Sequence, residues 1–294
     1  MFEALATPLK RRAPFDLVTR AALARRRGDW LDRDRPRTMN EFIQHKLAYD
    51  RRPILTRMAD KVSVRELVAA RVGADVLPRL YALVDRGAAL LEMPLPQTFV
   101  LKPNHGSGLV KLVDDSASVS RIELAELADT WLSVDYSRMG TFEWAYKDIR
   151  PLVMVEERLG SPHCDLCDYK FFMFGGRCHL IQVDSGRFTD HRRDLLSPSW
   201  EPLAVTLAFP RSPEPPARPA GLDAMITLAE EITAGIDFVR CDLYEVDGGK
   251  RIVFGELTNY PGAGTERFSD PRIDEELGSH MTWPPSYAGR SRAS

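Results

Sequence analysis

Several features are missing from this sequence, and each absence narrows the reading. Charge of one sign is not in surplus: 40 Lys and Arg stand against 42 Asp and Glu, a net charge of −2. No overall basic field therefore recruits nucleic acid. No apolar run reaches the roughly 18 residues of a spanning helix, and no signal peptide opens the chain. The expectation is a cytoplasmic protein without a transmembrane segment. No internal repeat is present, so the fold is not a repeat array. Cysteine is scarce, with four residues (Cys164, Cys167, Cys178, Cys241), which suits a reducing compartment. His163-Cys164-x-x-Cys167 followed by Cys178-His179 has the outline of a zinc cluster. The second pair is adjacent, which is poor chelate geometry, and free thiols are the favoured reading.

What is present is ordinary material for a large core. The chain has 294 residues, 44% of them hydrophobic and 28% charged. That is enough for one large domain or two to three lobes.

The most informative stretch is 236–264, IDFVRCDLYEVDGGKRIVFGELTNYPGAG. Apolar and β-branched residues flank Asp247-Gly248-Gly249, a hairpin signal. A loop of Gly248 to Lys250 pairs Asp247 with Arg251. It then sets Asp242 opposite Glu256 and Arg240 opposite Thr258, all four on one face. Val239, Cys241, Leu243, Val253 and Leu257 take the other face and enter a core. A two-residue loop would slip the register and part the two acids. Facing carboxylates repel unless a positive charge lies between them. Two readings follow: a Mg²⁺ site with Arg240 beside it, or a surface hairpin whose Arg240 neutralises both acids.

Along the rest of the chain, residues 1–60 look helical and polar. A basic amphipathic segment, Phe15 to Arg27, is read as a solvated helix face, with a membrane-surface role as the alternative. Ser63 and Glu66 have capping-box spacing at a helix entry. Arg79 to Leu91 reads as an amphipathic helix. Thr98 to Pro103 is a strand, Asn104 to Gly108 a Gly/Ser loop, and Leu109 to Leu112 a return strand. Such a loop, directly after Lys102, can wrap phosphate oxygens with backbone N–H groups. No Gly-Lys-Ser/Thr follows, so it is not a Walker motif. Ile122 to Leu132 is a helix, Leu152 to Glu157 a strand, and Asp168 to Phe174 pairs with Cys178 to Val183 as a hairpin. Proline-rich 197–221 is a connector. Leu222 to Ala234 is a helix with Leu222, Met225, Ile226, Ala229 and Ile232 on one stripe. Residues 265–294 read as irregular with a frayed end.

Taken in order, Asp60-Lys61, PxxFVLKPNHGSG, VEE, DYKFF, RxD and ELTxxPG resemble the ATP-grasp superfamily. More narrowly the chain resembles the TupA-like ATP-grasp family, linked to bacterial cell-surface polysaccharide and teichuronopeptide synthesis, over roughly residues 40–285. The resemblance implies an α+β ATP-grasp fold of two α+β lobes around the nucleotide. The expected parts are a helical N-terminal region (1–60), a small lobe with the glycine-rich loop (61–154) and a C-terminal lobe with the magnesium-binding hairpin (155–294).

The resemblance also implies roles by position. Lys61 and Lys102 hold ATP phosphates, and Asn104, His105, Gly106, Ser107 and Gly108 form the closing loop. Val155 to Leu159 form the hinge contacting adenine through backbone groups, with Glu156 the side chain there. Asp168 lies near the ribose and Lys170 near the phosphates, and Arg187 joins the ATP-binding set. Asp242 and Glu256 bind Mg²⁺, and Arg240 stabilises the reaction intermediate. Where many relatives have Glu-x-Asn, Thr258 stands at the Asn position and Asn259 follows it. The third metal ligand is therefore Thr258, Asn259 or a water.

These residue types suit ATP-dependent acyl activation. Three lysines and Mg²⁺ would offset the roughly four charges of ATP. The implied partners are small carboxylate and amine substrates, extending to a glycan or lipid-linked precursor. The implied activity is a carboxylate–amine ligase acting through an acyl phosphate. The competing readings are an ATP-grasp phosphotransferase and a non-catalytic nucleotide-binding module.

Overall fold

Two antiparallel sheets organise the chain. The structure is a computed structural model, and it describes residues 21, 24–25, 31–32, 34–139, 143–160, 167–186 and 190–282. Phe15 to Arg27 lies mostly outside these residues, as do His163, Cys164, Arg187 and the Ser/Arg-rich end. Among the described residues no helix is long and apolar enough to cross a membrane.

The smaller sheet contains β1 (Leu80–Val84), β2 (Phe99–Pro103), β3 (Lys111–Val113) and β4 (Val153–Glu156), in the order β1-β4-β2-β3. Strand β2 alternates in burial, whereas every residue of β4, between β1 and β2, is buried. Phe99, Leu101, Val153 and Val155 enter a core with Leu124, Ala128 and Trp131 of helix α5 (Arg121–Leu132). The opposite face carries Lys102 and Glu156. Arg79 to Leu91 is not one helix. It is β1 followed by the short helix α4 (Ala89–Glu92), because Leu80 to Val84 pair with β4. Gly87 then lets the chain pass close to α5: a Cβ there would stand 2.0 Å from Ala125 O.

The larger sheet runs β7-β6-β5-β8-β9, from β5 (Asp168–Phe174), β6 (Arg177–Ser185), β7 (Arg192–Leu196), β8 (Phe238–Val246) and β9 (Arg251–Thr258). Every residue of β5 is buried, which explains its aromatic run. Its core takes in helices α1 (Met39–Tyr49), α2 (Pro53–Ala59), α3 (Ser63–Val72) and α6 (Leu222–Thr233). Leu222, Met225, Ala229 and Ile232 of α6 are buried as their stripe predicts, with Ile226 only half-buried. Ser63 is not the cap of α3. It is the first helical residue, and Asp60 accepts bonds from Val62 N (3.0 Å) and Ser63 Oγ (2.6 Å). Residues 271–279 form helix α7 (Pro271–Ser279), started by Asp270. The irregular reading fails there because the Asp270 side chain caps the helix by accepting from Arg272 N, with Pro271 at the first helical position. Asn40 of α1 bonds Asp274 of α7 at 3.0 and 2.8 Å.

Helices α1 and α2 fix the start of β8 and the end of β9. The buried Lys46 ammonium donates to Phe238 O at 2.6 Å, and Arg52 pairs with Asp237 at 2.9 Å. Asn259 Nδ2 donates to Leu55 O at 2.8 Å. Thus the ribbon carrying the candidate acids is anchored at its open end by the N-terminal helices.

Candidate active site

The β8–β9 ribbon sets Arg240 opposite Thr258 and Asp242 opposite Glu256, as the hairpin reasoning requires. It reaches that register by another route. The loop is four residues, 247–250, with Val246 paired to Arg251, and the pairing shifts by one between Asp242 and Leu243. A bulge at Gly255 absorbs the extra residue. A Cβ at Gly255 would stand 2.8 Å from the Tyr244 ring and 3.0 Å from Asp242 O. Beyond the bulge Phe254 lies opposite Leu243 and joins its core cluster, while Val253, expected on that core face, lies opposite Tyr244 and is buried outside that cluster.

On the polar face the groups are tightly cross-bonded. Arg240 Nε and Nη2 donate to the two Asp242 oxygens at 2.7 Å each. Its Nη2 also reaches Glu256 Oε1 at 3.2 Å and Thr258 Oγ1 at 3.0 Å. The Thr258 hydroxyl donates to Glu256 Oε1 at 2.8 Å. From β5, where Lys170 lies opposite Asp242, the Lys170 ammonium bonds Asp168 and stands 3.3 Å from Asp242 Oδ2 and 3.8 Å from Asp184 Oδ2. Arg193 closes the row by donating to Asp184 Oδ1 at 2.7 Å.

Burial pushes the Asp242 carboxyl above its ordinary range, helped by Asp168 and Glu256 and opposed by Arg240 and Lys170. Burial acts the same way on Glu256, but Lys61, Arg240 and the Thr258 hydroxyl outweigh it and hold that group down to about 2. Burial lowers the Lys61 ammonium, and the Lys102 charge adds to this, while Glu256 and Glu156 oppose it. Arg240, despite burial, is raised by Asp242 and Glu256 and stays a cation.

The small sheet carries a second charged group. Lys102 bonds Glu156, whose second oxygen takes Arg65 Nη1 at 2.7 Å. Glu156 is thus held between two cations. Lys61 N donates to Asn104 O at 3.1 Å, and its ammonium bonds Gly106 O, tying the Asp60-Lys61 turn to the glycine loop. Gly106 lies against the Tyr136 ring, where a Cβ would come within 2.6 Å, and the Tyr136 hydroxyl donates to Ser107 O. Ser107 and Gly108 are exposed, and Gly108 adopts φ +75°.

His105 does not face this cleft. It is buried, its ring nitrogens 3.1 Å from Asn104 Oδ1 and 3.2 Å from Trp131 O, and burial lowers its pKa. Its place is to seat the loop on α5. Asn259 also points away, into Leu55 O, so Thr258 is the residue on the acidic face. Leu159 is half-buried, its carbonyl accepting Arg158 Nη1 at 2.9 Å. No group of three or more His, Cys, Asp or Glu arranged for a metal occurs among the described residues, and neither Cys167 nor Cys178 is disulfide-bonded.

Lys61, Ser107, Arg240, Glu256 and Thr258 line one cleft of about 410 Å³. Its remaining wall was missed in the sequence: Tyr136, Glu143, Tyr146 and Tyr260, with Met58. The available signal was an aromatic and acidic cluster in an irregular segment, 135–146, where binding residues often gather.

Solved structures that resemble this fold include D-alanine–D-alanine ligase from Bacillus anthracis complexed with ATP, at 16% identity over 70% of this chain and 55% of that chain, TM-score 0.39. The VanG D-Ala:D-Ser ligase from Enterococcus faecalis matches at 18% over 78% and 57%, TM-score 0.39. The ATP-grasp ligase PsnB complexed with minimal precursor matches at 11% over 70% and 53%, TM-score 0.39. The chain spans little more than half the length of these structures. No curated protein matches the sequence. Residues 41–282 match the family described as TupA-like ATPgrasp, a stretch that includes the glycine loop and the acidic ribbon. The chain belongs to the TupA-like ATP-grasp family and has its α+β ATP-grasp fold.

Proposed function

We propose that the chain is an ATP-dependent carboxylate–amine ligase that forms an amide through an acyl phosphate. Its substrates would be an amino acid or sugar acid and an amine, in the synthesis of a cell-surface polysaccharide or peptide polymer. The observation that carries the reading is Arg240, held between Asp242, Glu256 and Thr258 in a cleft whose other wall is Lys61 and Ser107. The nucleotide would lie between residues 61–154 and 155–294, with Lys61, Lys102 and Lys170 toward its phosphates.

The donors suit Mg²⁺. Asp242 and Glu256 are hard oxygen ligands on facing strands, and such sites usually take one or two carboxylates and fill the rest with phosphate oxygens and water. Thr258 adds a hydroxyl. Bound there, Mg²⁺ would neutralise charge on the transferring phosphoryl group. Asp242 and Glu256 would hold it, with Arg240 fixed beside them.

Arg240 is well suited to the second step. When an amine attacks an acyl phosphate, negative charge gathers on the acyl oxygen, and a fixed guanidinium in a water-poor cleft stabilises it. Closure of the exposed Ser107-Gly108 tip would shield the acyl phosphate from hydrolysis.

The test is a screen of amino acids and sugar acids for phosphate release from Mg-ATP, followed by mass spectrometry. An amide product that requires both a carboxylate and an amine supports the ligase. A phosphorylated product with no amine requirement identifies a phosphotransferase. Nucleotide binding without turnover on any substrate favours a binding module.

A further inference from the structure

Two glycines of the loop are glycine for different reasons. Gly108 adopts φ +75°, and a Cβ there would meet nothing within 4 Å, so the backbone alone asks for glycine. Gly106 has no positive φ. What excludes a side chain there is Tyr136: a Cβ would stand 2.6, 2.7 and 3.2 Å from three carbons of its ring. Tyr136 opens a short turn (Tyr136–Arg138) just past the end of α5. The Tyr146 ring backs it edge to face, centroids 5.5 Å apart at 62°. The end of α5 also takes His105 at Trp131 O, 3.2 Å away, so this part of the small lobe carries the loop at two points.

The bonds at the tip have a direction. The Lys61 ammonium donates to Gly106 O, and the Tyr136 hydroxyl donates to Ser107 O. Burial raises the Tyr136 pKa, so the phenol keeps its proton and can donate. A trans peptide sets its C=O and N–H on opposite sides. The peptide whose carbonyl meets Lys61 therefore aims Ser107 N–H the other way. The peptide whose carbonyl meets Tyr136 does the same for Gly108 N–H. Neither amide has a partner among the described residues, and both residues are exposed. Two successive amides with no protein acceptor suit the oxygens of an anion.

We propose that Tyr136 is a positioning residue for this loop: its ring and hydroxyl hold Gly106 and Ser107 so that the Ser107 and Gly108 amides face the phosphates of the bound nucleotide. This rests on the ATP-binding part of the reading above and adds a residue to it. Tyr136 acts through the loop and touches no reacting atom in this role. A tip already held by its carbonyls is part-ordered before the nucleotide arrives, so less ordering remains to oppose binding. Glycine at 106 is then the complement of the ring, since any larger residue would push the tip off Tyr136 and turn both amides away.

The experiment titrates the full chain with a non-hydrolysable Mg-ATP analogue by calorimetry and with adenosine, which has no phosphate, by ligand-observed NMR. Tyr136→Phe keeps the ring and removes one hydrogen bond. It should weaken the analogue about fivefold and adenosine less than about twofold. Unchanged analogue affinity overturns the proposal, as does equal weakening of adenosine, which would mean a damaged cleft instead of a misplaced loop. The glycines give a second arm. Gly106→Ala should weaken the analogue about tenfold, and adding Tyr136→Ala should cost nothing further, because the ring that the new methyl strikes is gone. Gly108→Ala with Tyr136→Ala should instead lose the product of the two separate losses. A multiplicative loss at 106 as well would mean that Gly106 does not accommodate the ring, and the proposal falls. Should Tyr136→Ala melt early, Tyr136→Leu replaces it in both pairs. A wild-type chain that binds neither ligand sinks the ATP reading and this proposal together. Tight analogue binding without amide formation on any substrate sinks the ligase reading alone.

Discussion

The two sheets hold their charges in different ways. On the large sheet, Arg240, Asp242, Glu256 and Thr258 are linked by bonds of 2.7 to 3.2 Å, and Lys170 ties them to a third strand. Each side chain there has two or more partners across paired backbone. On the small sheet, the Lys102–Glu156–Arg65 group is equally well paired, but the loop beyond it is not. Residues 104–108 are fastened at their buried start by Asn104 and His105, then by Lys61 and Tyr136, and end in exposed Ser107 and Gly108. The contrast teaches a division of labour. Fixed charges belong where charge develops in the reaction, because they cost no reorganisation at that moment. A cover that must admit and release nucleotide belongs on backbone with few bonds.

The strongest way to break this comparison is to remove a fixed acid. Glu256→Gln should cut Mg-ATP-dependent phosphate release by ~10²–10³-fold, a loss typical of a transition-state charge partner. Activity within about threefold of wild type would take Glu256 out of the metal site. Arg240→Ala should lower turnover by ~10²-fold while nucleotide affinity stays within a few-fold, since the group acts on the intermediate. An affinity loss as large as the turnover loss would erase the distinction between the two sheets.

Smaller effects sharpen it. Lys102→Ala should weaken nucleotide binding about tenfold, near 1.4 kcal/mol, measured by calorimetric titration. Unchanged affinity would remove Lys102 from the phosphate site and leave it a partner of Glu156 alone. Lys61 gives a pH dependence of definite sign. Burial lowers its pKa below the usual 10.5, so the ammonium is fully charged at low pH and is lost as pH rises through the lowered value. Nucleotide affinity should therefore fall on the alkaline side before ordinary lysines titrate, and Lys61→Arg should flatten that limb.

Much of this arrangement was legible because strand alternation is a strict rule. Asp242 opposite Glu256 dictates that Arg240 faces Thr258 on the same side of the ribbon. The turn itself was misread by one residue, and Gly255 restored the register. An isolated glycine inside a strand is a bulge signal, but only the Tyr244 ring and Asp242 O in the third dimension show why no side chain fits there. Arg79 to Leu91 misled for a related reason. Its apolar spacing suits a helix, yet pairing with β4 claims the backbone bonds of Leu80 to Val84. The tyrosine wall was not legible, since residues 136–146 carry no periodicity and meet Tyr260 only after the chain folds back.

The order of motifs, the polar face of the ribbon, the buried β5 strand and the α6 stripe were determined by the amino-acid sequence alone. Each depends on local periodicity or on neighbours two to eighteen positions apart. Only the tertiary structure decided that His105 supports its loop from beneath, that Asn259 turns toward Leu55, and that Tyr136, Tyr146 and Tyr260 line one cleft with Glu143. Those outcomes depend on which buried polar atom finds a partner on a distant segment, and burial without such a partner is too costly for local pattern to choose alone.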